Sequence, residues 1–235
     1  MSAKSIFISI AIDGPSGAGK SSLAKSLAEK LGFLYLDTGA LYRTVGLYIC
    51  ESGIGGNETE KIEACVESGN IEIDVVYKDG EQKVFLNGQD VSLKIRENHI
   101  SKYASDVSKI PKVREFLLKI QKEAAGKNNI IMDGRDIGTV ILPNADVKIF
   151  LTASSEVRAK RRYKELTEKG QEVDYTAILA EINARDDQDS NRDAAPLKPA
   201  EDAIFFDNSD CNTPLETLNK AINIIKEILP DVCIR

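Results

Sequence analysis

The spacing of apolar residues changes several times along this chain, and each change predicts an element. Residues 6 to 12 read IFISIAI, a β-branched run suited to a strand buried on both faces. Leu23, Leu27, Ala28 and Leu31 then fall at helical spacing over residues 19 to 31, with Gly32 placed to stop the helix. Further helices are predicted over residues 40 to 50 and 58 to 68. From 71 to 91, IEIDVVYKDGEQKVFLNGQDV alternates apolar and polar residues around Asp79-Gly80, a strong hairpin signal.

Helical spacing returns over residues 105 to 125, interrupted at Pro111, a residue able to begin a second helix in its first turn. NIIMD (129 to 133) and VKIFL (147 to 151) are short apolar runs fit for parallel strands. Residues 154 to 192 are strongly charged and helical, with a break expected near Gly170. AIFFD (203 to 207) is the last predicted strand. Thr213-Pro214-Leu215-Glu216 then forms a capping box with proline at the first helical position. The helix it opens carries Leu218, Ile222, Ile225 and Leu229. Strands alternating with helices predict an α/β fold, a parallel sheet flanked by helices with an antiparallel insert. Ligands of such folds bind beyond the carboxyl ends of the strands. No internal repeat or low-complexity segment interrupts the pattern.

Composition narrows the picture. The chain has 235 residues, 42% of them hydrophobic, enough for one domain or one core domain with appendages. Its net charge of −6 argues against nucleic acid as the main partner, while leaving room for a small anion in a local basic pocket. The four cysteines, at 50, 65, 211 and 233, form no CxxC pair, which argues against a zinc knuckle or a thioredoxin-like site and fits a reducing cytoplasm. His99 is the only histidine, so a multi-histidine metal site is excluded by counting. With no long signal-like hydrophobic region and no run of ~18 apolar residues, the expectation is a soluble, cytoplasmic protein without a membrane partner.

The chemistry begins at GPSGAGKS, Gly14 to Ser21, a full match to G-x-x-x-x-G-K-[ST] between a predicted strand and a predicted helix. Glycines let such a loop turn its N–H groups inward, and the helix N-terminus adds positive potential. The expected ATP contacts are Gly14, Pro15, Ser16, Gly17, Ala18, Gly19, Lys20, Ser21 and Ser22. Lys20 would reach the β- and γ-phosphates and Ser21 would ligate Mg²⁺. The motif specifies a nucleoside triphosphate but not the acceptor.

Arginines address that question. Arg43 ends LDTGALYR, Arg114 lies in KVREFLL, and Arg135 lies in DGRDIGT, directly after a predicted buried strand. Arg158, Arg161 and Arg162 are spaced i, i+3 and i+4 on one predicted helix, an arrangement that is mildly repulsive unless an anion or nearby carboxylates compensate it. Arg185, Asp189 and Arg192 are spaced i, i+4 and i+7, one face if their helix is continuous. Phosphoryl transfer explains such a set, because the reaction needs alignment and charge neutralisation more than covalent help. Arginine forks clamp phosphates and can be carried on mobile lids.

Four segments, IDGPSGAGKSS, LDTGALYR, DGRDIGT and ARDDQDSNR, together resemble the bacterial-type cytidylate kinases of the P-loop nucleoside monophosphate kinase family, in that family's order over about residues 6 to 210. The resemblance implies transfer of the ATP γ-phosphoryl group to CMP or dCMP with Mg²⁺, by a monomer whose partners are these nucleotides. It implies a P-loop core (1–37, 127–153 and 200–235), a monophosphate-binding region (38–126, with its insert at about 64–104) and a helical lid with flanking helices (154–199).

By position, the resemblance places Thr38 and Arg43 at the acceptor's phosphate region, Ser105, Arg114 and Asp136 at the cytosine edge, and Arg135 on the acceptor phosphate. It places Arg185 and Asp189 at the sugar, Arg192 on the phosphates, and Arg158, Arg161 and Arg162 in the lid, approaching ATP. Lys20, Arg135, Arg185 and Arg192 are the expected catalytic set. The chemistry is coherent: Asp136 can accept from the cytosine amine, whereas uracil would oppose it with a carbonyl, and unpaired groups of that kind reject a wrong ligand strongly. Thr38 and Ser22 depart slightly from common family residues but keep small size.

Three other readings compete. A GTPase-type switch would normally carry N-K-x-D, but Asn219-Lys220 is followed by Ala221-Ile222 within an amphipathic helix. A P-loop kinase for UMP, AMP or a small hydroxyl metabolite is opposed by the DGRDIGT and RDDQDSNR pair. A non-catalytic nucleotide-binding module is opposed by the intact Lys20, Ser21 and arginine set.

Overall fold

β-Branched and small apolar side chains place the first strand, β1 (Ser9–Asp13), at the centre of a sheet, where both faces are covered. The computed structural model describes residues 7–78 and 81–234, and its contacts divide the chain into two units, one of residues up to 35 and from 128 onward, the other of residues 36–127.

In the first unit, β1 leads through the glycine-rich turn into α1 (Lys20–Leu31), whose Leu23, Leu27 and Leu31 are buried and which ends at Gly32 as its spacing predicted. The strands β6 (Ile130–Gly134), β7 (Val147–Thr152) and β8 (Ile204–Asp207) follow in sequence. With β2 (Leu34–Asp37) at one edge, the sheet has the order β2-β6-β1-β7-β8, and β1 pairs in parallel with both β6 and β7, as β7 does with β8. The strand β2 went unmarked by the sequence pattern, being four residues squeezed between two helices. The last helix, α8 (Pro214–Ile228), packs Leu218, Ala221 and Ile225 with Leu23 and Leu27 of α1 over Ile149 and Leu151.

The charged region is broken on either side of Gly170 into α6 (Ser155–Glu168) and α7 (Tyr175–Asn191), which share a small apolar core of Ala159, Leu166, Ile178 and Ile182. Two expectations need correcting. Arg192 lies just beyond α7 in extended conformation (ψ 141°), so the predicted face stops at Asn191. At the start of α8, Thr213 Oγ1 accepts from Glu216 N at 3.2 Å, but the Glu216 carboxylate accepts from Asn212 N at 2.9 Å instead of closing the box on Thr213.

The second unit builds its own core. It contains α2 (Thr38–Glu51), α3 (Thr59–Glu67), α4 (Asn98–Val107) and α5 (Pro111–Lys127), with Leu41, Ile49, Ile62, Ile100, Val113 and Leu117 all buried together. α4 starts seven residues before the predicted 105, because Ile100, Ala104 and Val107 already repeat at helical spacing among polar neighbours. β3 (Ile73–Lys78) pairs antiparallel with β4 (Glu81–Leu86), from Ile73 opposite Leu86 to Lys78 opposite Glu81. Asp79-Gly80 itself lies outside the described residues. A third strand, β5 (Gln89–Asp90), returns against β4 through Asn87 and Gly88, both at positive φ as a two-residue hairpin turn requires.

Candidate active site

The phosphate loop leaves the carboxyl end of β1 at Gly14, where φ is +147° and a Cβ would sit 1.9 Å from the Leu151 carbonyl oxygen. No other residue fits between these two backbones. The loop's carbonyls are held by three side chains, one from the motif itself and two from elsewhere in the unit. Lys20 Nζ donates to Pro15 O at 2.7 Å, Arg158 Nη1 to Ser16 O at 2.9 Å, and Asn208 Nδ2 to Ala18 O at 3.0 Å. Gly19, the N-cap of α1, brings no side-chain acceptor, and the helix has no acidic residue in its first turn. The first N–H groups of α1 therefore have no internal anion competing for them, the condition for binding a phosphate.

Lys20 is buried, and that burial, with Arg135 nearby, pushes its ammonium down to about 7. Ser21 Oγ donates to Asp133 Oδ2 at 2.8 Å, and the Tyr35 hydroxyl donates to Asp133 Oδ1 at 2.9 Å. Asp133 stands on β6, which the parallel pairing lays beside β1. Asp13, at the end of β1, accepts from Ile137 N and Gly138 N at 2.7 Å each, while burial drives its carboxyl up to about 6. These two N–H groups open a π-helical turn (Ile137–Ile141) immediately after Asp136. The Asp136 carbonyl accepts from Val140 N and Ile141 N, so its peptide is fixed from both sides. Its carboxylate lies 3.6 Å from Arg192 Nη2 in a buried pair.

Arg135 Nε donates to Asp189 Oδ2 at 2.7 Å, joining the end of β6 to α7. Burial works against the charged form of Asp189, but Arg135, with Arg185 and Arg192, holds its carboxyl below the usual range. Lys20, Ser21, Arg135, Asp136, Arg185, Asp189 and Arg192 thus share one unit with the phosphate loop, several in direct contact.

The three arginines of α6 do not form a stack awaiting an anion. Arg158 is 4% exposed and bound to Ala153 O, Ser16 O and Asp186. Arg161 donates to Asn208 Oδ1 and O. Arg162 is solvent-facing and pairs with Glu165 at 3.0 Å. Compensation comes from the protein, one partner set per arginine. Arg161 and Asn208 also line a cavity of about 300 Å³ beside Gly17, Gly19, Ser22 and Thr213.

In the second unit, Thr38 opens α2 and is buried, and Asp37 caps that helix by accepting from Ala40 N at 2.9 Å. Arg43 curls back to Asp37 at 2.8 Å, and Gln82 of β4 accepts from Asp37 N at 2.7 Å. Ser105 is on α4. Arg114 donates to Ser108 O at 3.2 Å and lies 5.8 Å from the Tyr42 ring centroid. Sequence reasoning missed Asp13, Asp133 and Asn208. Each follows an apolar strand run at its carboxyl end, the same signal that singled out Arg135.

A phosphate loop running from a parallel strand into a helix, with a buried lysine and a serine against a strand-end aspartate, defines a P-loop nucleotide-binding protein of the kinase type. The family model described as cytidylate kinase matches residues 10–227, and the chain belongs to that family. The relative named "Cytidylate kinase" from Caldicellulosiruptor saccharolyticus is 52% identical over 94% of this chain and 97% of its own length. Relatives of the same name from Thermosipho melanesiensis and Pasteurella multocida are 49% and 46% identical, over 93% and 94% of this chain and 96% of each of theirs. A solved shikimate kinase from Bacteroides thetaiotaomicron aligns with 95% of this chain and 98% of its own at 16% identity and a TM-score of 0.46, too distant to bear on ligands.

Proposed function

We infer that this chain transfers the γ-phosphoryl group of ATP to CMP or dCMP, yielding ADP and CDP or dCDP. The observation that carries the reading is the family match over residues 10–227, which includes a complete phosphate loop and its Lys20. In the reaction the bond from the γ-phosphorus to the β,γ-bridging oxygen breaks, and a bond forms to an acceptor phosphate oxygen. The acceptor is largely ionised near neutral pH, so the protein needs no strong base, consistent with a chain whose one histidine, His99, is exposed.

The division of labour follows the side chains. Loop N–H groups hold the donor phosphates, and Lys20 exchanges the Pro15 carbonyl for a phosphate oxygen. Ser21 Oγ, 2.8 Å from the Asp133 carboxylate, offers the hard oxygen surroundings that suit Mg²⁺, which would neutralise charge between the donor phosphates when bound with ATP. Arg135, Arg185 and Arg192 offset the charge of the transferred group and acceptor phosphate, with Arg185 and Asp189 also holding the sugar. Thr38 and Arg43 take the acceptor's phosphate region. Ser105, Arg114 and Asp136 read the base, with Asp136 accepting from the cytosine amine. Arg161 and Arg162 serve the donor side. On this reading 38–126 is the monophosphate-binding region and 154–199 the lid with its flanking helices. The proposed enzyme works as a cytoplasmic monomer. Among the described residues no helix is long and apolar enough to cross a membrane.

A coupled assay of ADP release with ATP and a panel of CMP, dCMP, UMP, AMP and GMP tests this. CMP and dCMP should give the highest kcat/KM. A higher value for any other monophosphate, or ADP release independent of acceptor, would overturn it.

A further inference from the structure

We propose that Arg158 and Asp186 form a positioning pair that holds the phosphate loop in its anion-binding shape, so that Arg158 serves ATP through the loop backbone and not by touching the nucleotide. The inference rests on the reading that this loop binds the donor phosphates.

Three bonds commit the Arg158 guanidinium. Nε donates to Ala153 O at 2.9 Å just after β7, Nη1 to Ser16 O at 2.9 Å in the loop, and Nη2 to Asp186 Oδ2 at 2.6 Å on α7. A rigid, planar fork is the side chain suited to join three such points. The loop also packs on its stem, since a Cβ on Gly17 would meet Arg158 Cβ at 3.4 Å.

The geometry of the peptide bond turns this into function. In a trans peptide the C=O and the following N–H point in opposite directions within one plane. Fixing Ser16 O against Arg158 therefore aims Gly17 N–H to the other side of the loop. Asn208 does the same for the next accessible peptide, because holding Ala18 O at 3.0 Å aims Gly19 N–H away from it. Left free, a glycine-rich segment would populate many peptide orientations, and a ligand would have to order them on binding. Asp186 completes the device. It neutralises a buried cation and joins the loop to the helix that bears Arg185 and Asp189. Asp186 was not among the residues expected to act, and nothing in its sequence neighbourhood distinguishes it from Asp187.

Two substitutions test the pair, Arg158→Met, which keeps the stem and removes the fork, and Asp186→Asn, which keeps shape and removes the charge. ATP affinity is measured by titration calorimetry without acceptor, together with KM for ATP and for CMP and the melting temperature. Each variant should weaken ATP by ~10-fold or more, as loss of a charge-assisted bond does, while KM for CMP stays near wild type. The double variant should be no worse than the worse single one, because both remove one device. If Arg158→Met weakens ATP while Asp186→Asn leaves it unchanged, Arg158 touches ATP directly and the proposal fails. If both variants lower the melting temperature without moving ATP affinity, the pair is only structural and the proposal fails. Should Arg158→Met not fold, Asp186→Asn alone decides. Calorimetry needs no acceptor, so a wrong acceptor assignment would appear only in the turnover panel and would leave this result standing.

Discussion

The two units differ in how much of their framework rests on buried polar bonds. In the phosphate-loop unit, charged groups are buried and bound to one another: Asp13 to the π-helical turn, Asp133 to Ser21 and Tyr35, Arg135 to Asp189, Arg158 to Ser16 and Asp186. In residues 36–127 a continuous apolar core carries the fold, and among its candidate residues charge pairing is confined to its edge, where Arg43 binds the buried Asp37 at 2.8 Å. The contrast teaches that in one unit the loop carbonyls are fixed in advance by buried polar bonds, the arrangement that the proposed triphosphate site calls for. Such preorganisation lowers the cost of binding and of stabilising charge in the transition state.

The largest expected effect breaks the preorganised side. Gly14→Ala forces a methyl group into the Leu151 carbonyl and should cut ATP affinity by ~100-fold or more in whatever fraction folds, given how steeply such sites lose function on ångström-scale displacement. ATP titration checks it, and near-normal affinity would show that the loop shape is not needed.

On the other unit, Leu117→Ala opens a cavity in a fully buried position and should destabilise by ~2–5 kcal/mol. Urea unfolding should report that loss while ATP affinity stays close to wild type. A matching loss of ATP affinity would erase the distinction between the units.

A comparable effect comes from pH. Burial raises the Asp13 carboxyl from 3.8 to about 6, so the folded state holds that proton more tightly than the unfolded chain. The contribution to stability is complete below the unfolded value of 3.8 and is lost as pH rises through 6. The shift corresponds to ~3 kcal/mol. Comparing unfolding free energies of wild type and Asp13→Asn from pH 4 to 7 should show their difference changing across that window, whereas parallel curves would contradict the assignment. The smallest effect is Arg162→Ala. Its partner Glu165 is equally exposed, and removing the pair should change stability by less than ~0.5 kcal/mol, within reach of careful thermal unfolding.

How much of this was legible in the sequence depended on how local each feature is. The phosphate loop is contiguous, so its residues and their context could be read directly. The antiparallel insert was legible through its alternation, but two-residue β5 is too short to show a period, although Asn87-Gly88 is itself a hairpin signal. Partnerships across the chain were not legible. Ser21 and Asp133 are 112 positions apart, and Ala18 and Asn208 are 190 apart, so only the sheet order brings them together. Arg158, Arg161 and Arg162 looked like one cationic face because spacing shows which residues share a helix side, not what faces that side. The extended backbone at Arg192 likewise has no signature in an i+7 count.

The central claim, phosphoryl transfer from ATP to a cytidine monophosphate, is tested most directly by following the group itself. With ATP labelled at the γ-phosphate and CMP in excess, the label should appear in CDP in equal amount to the ADP formed. Label released as inorganic phosphate, or carried to UMP in preference to CMP when both are offered, would contradict it.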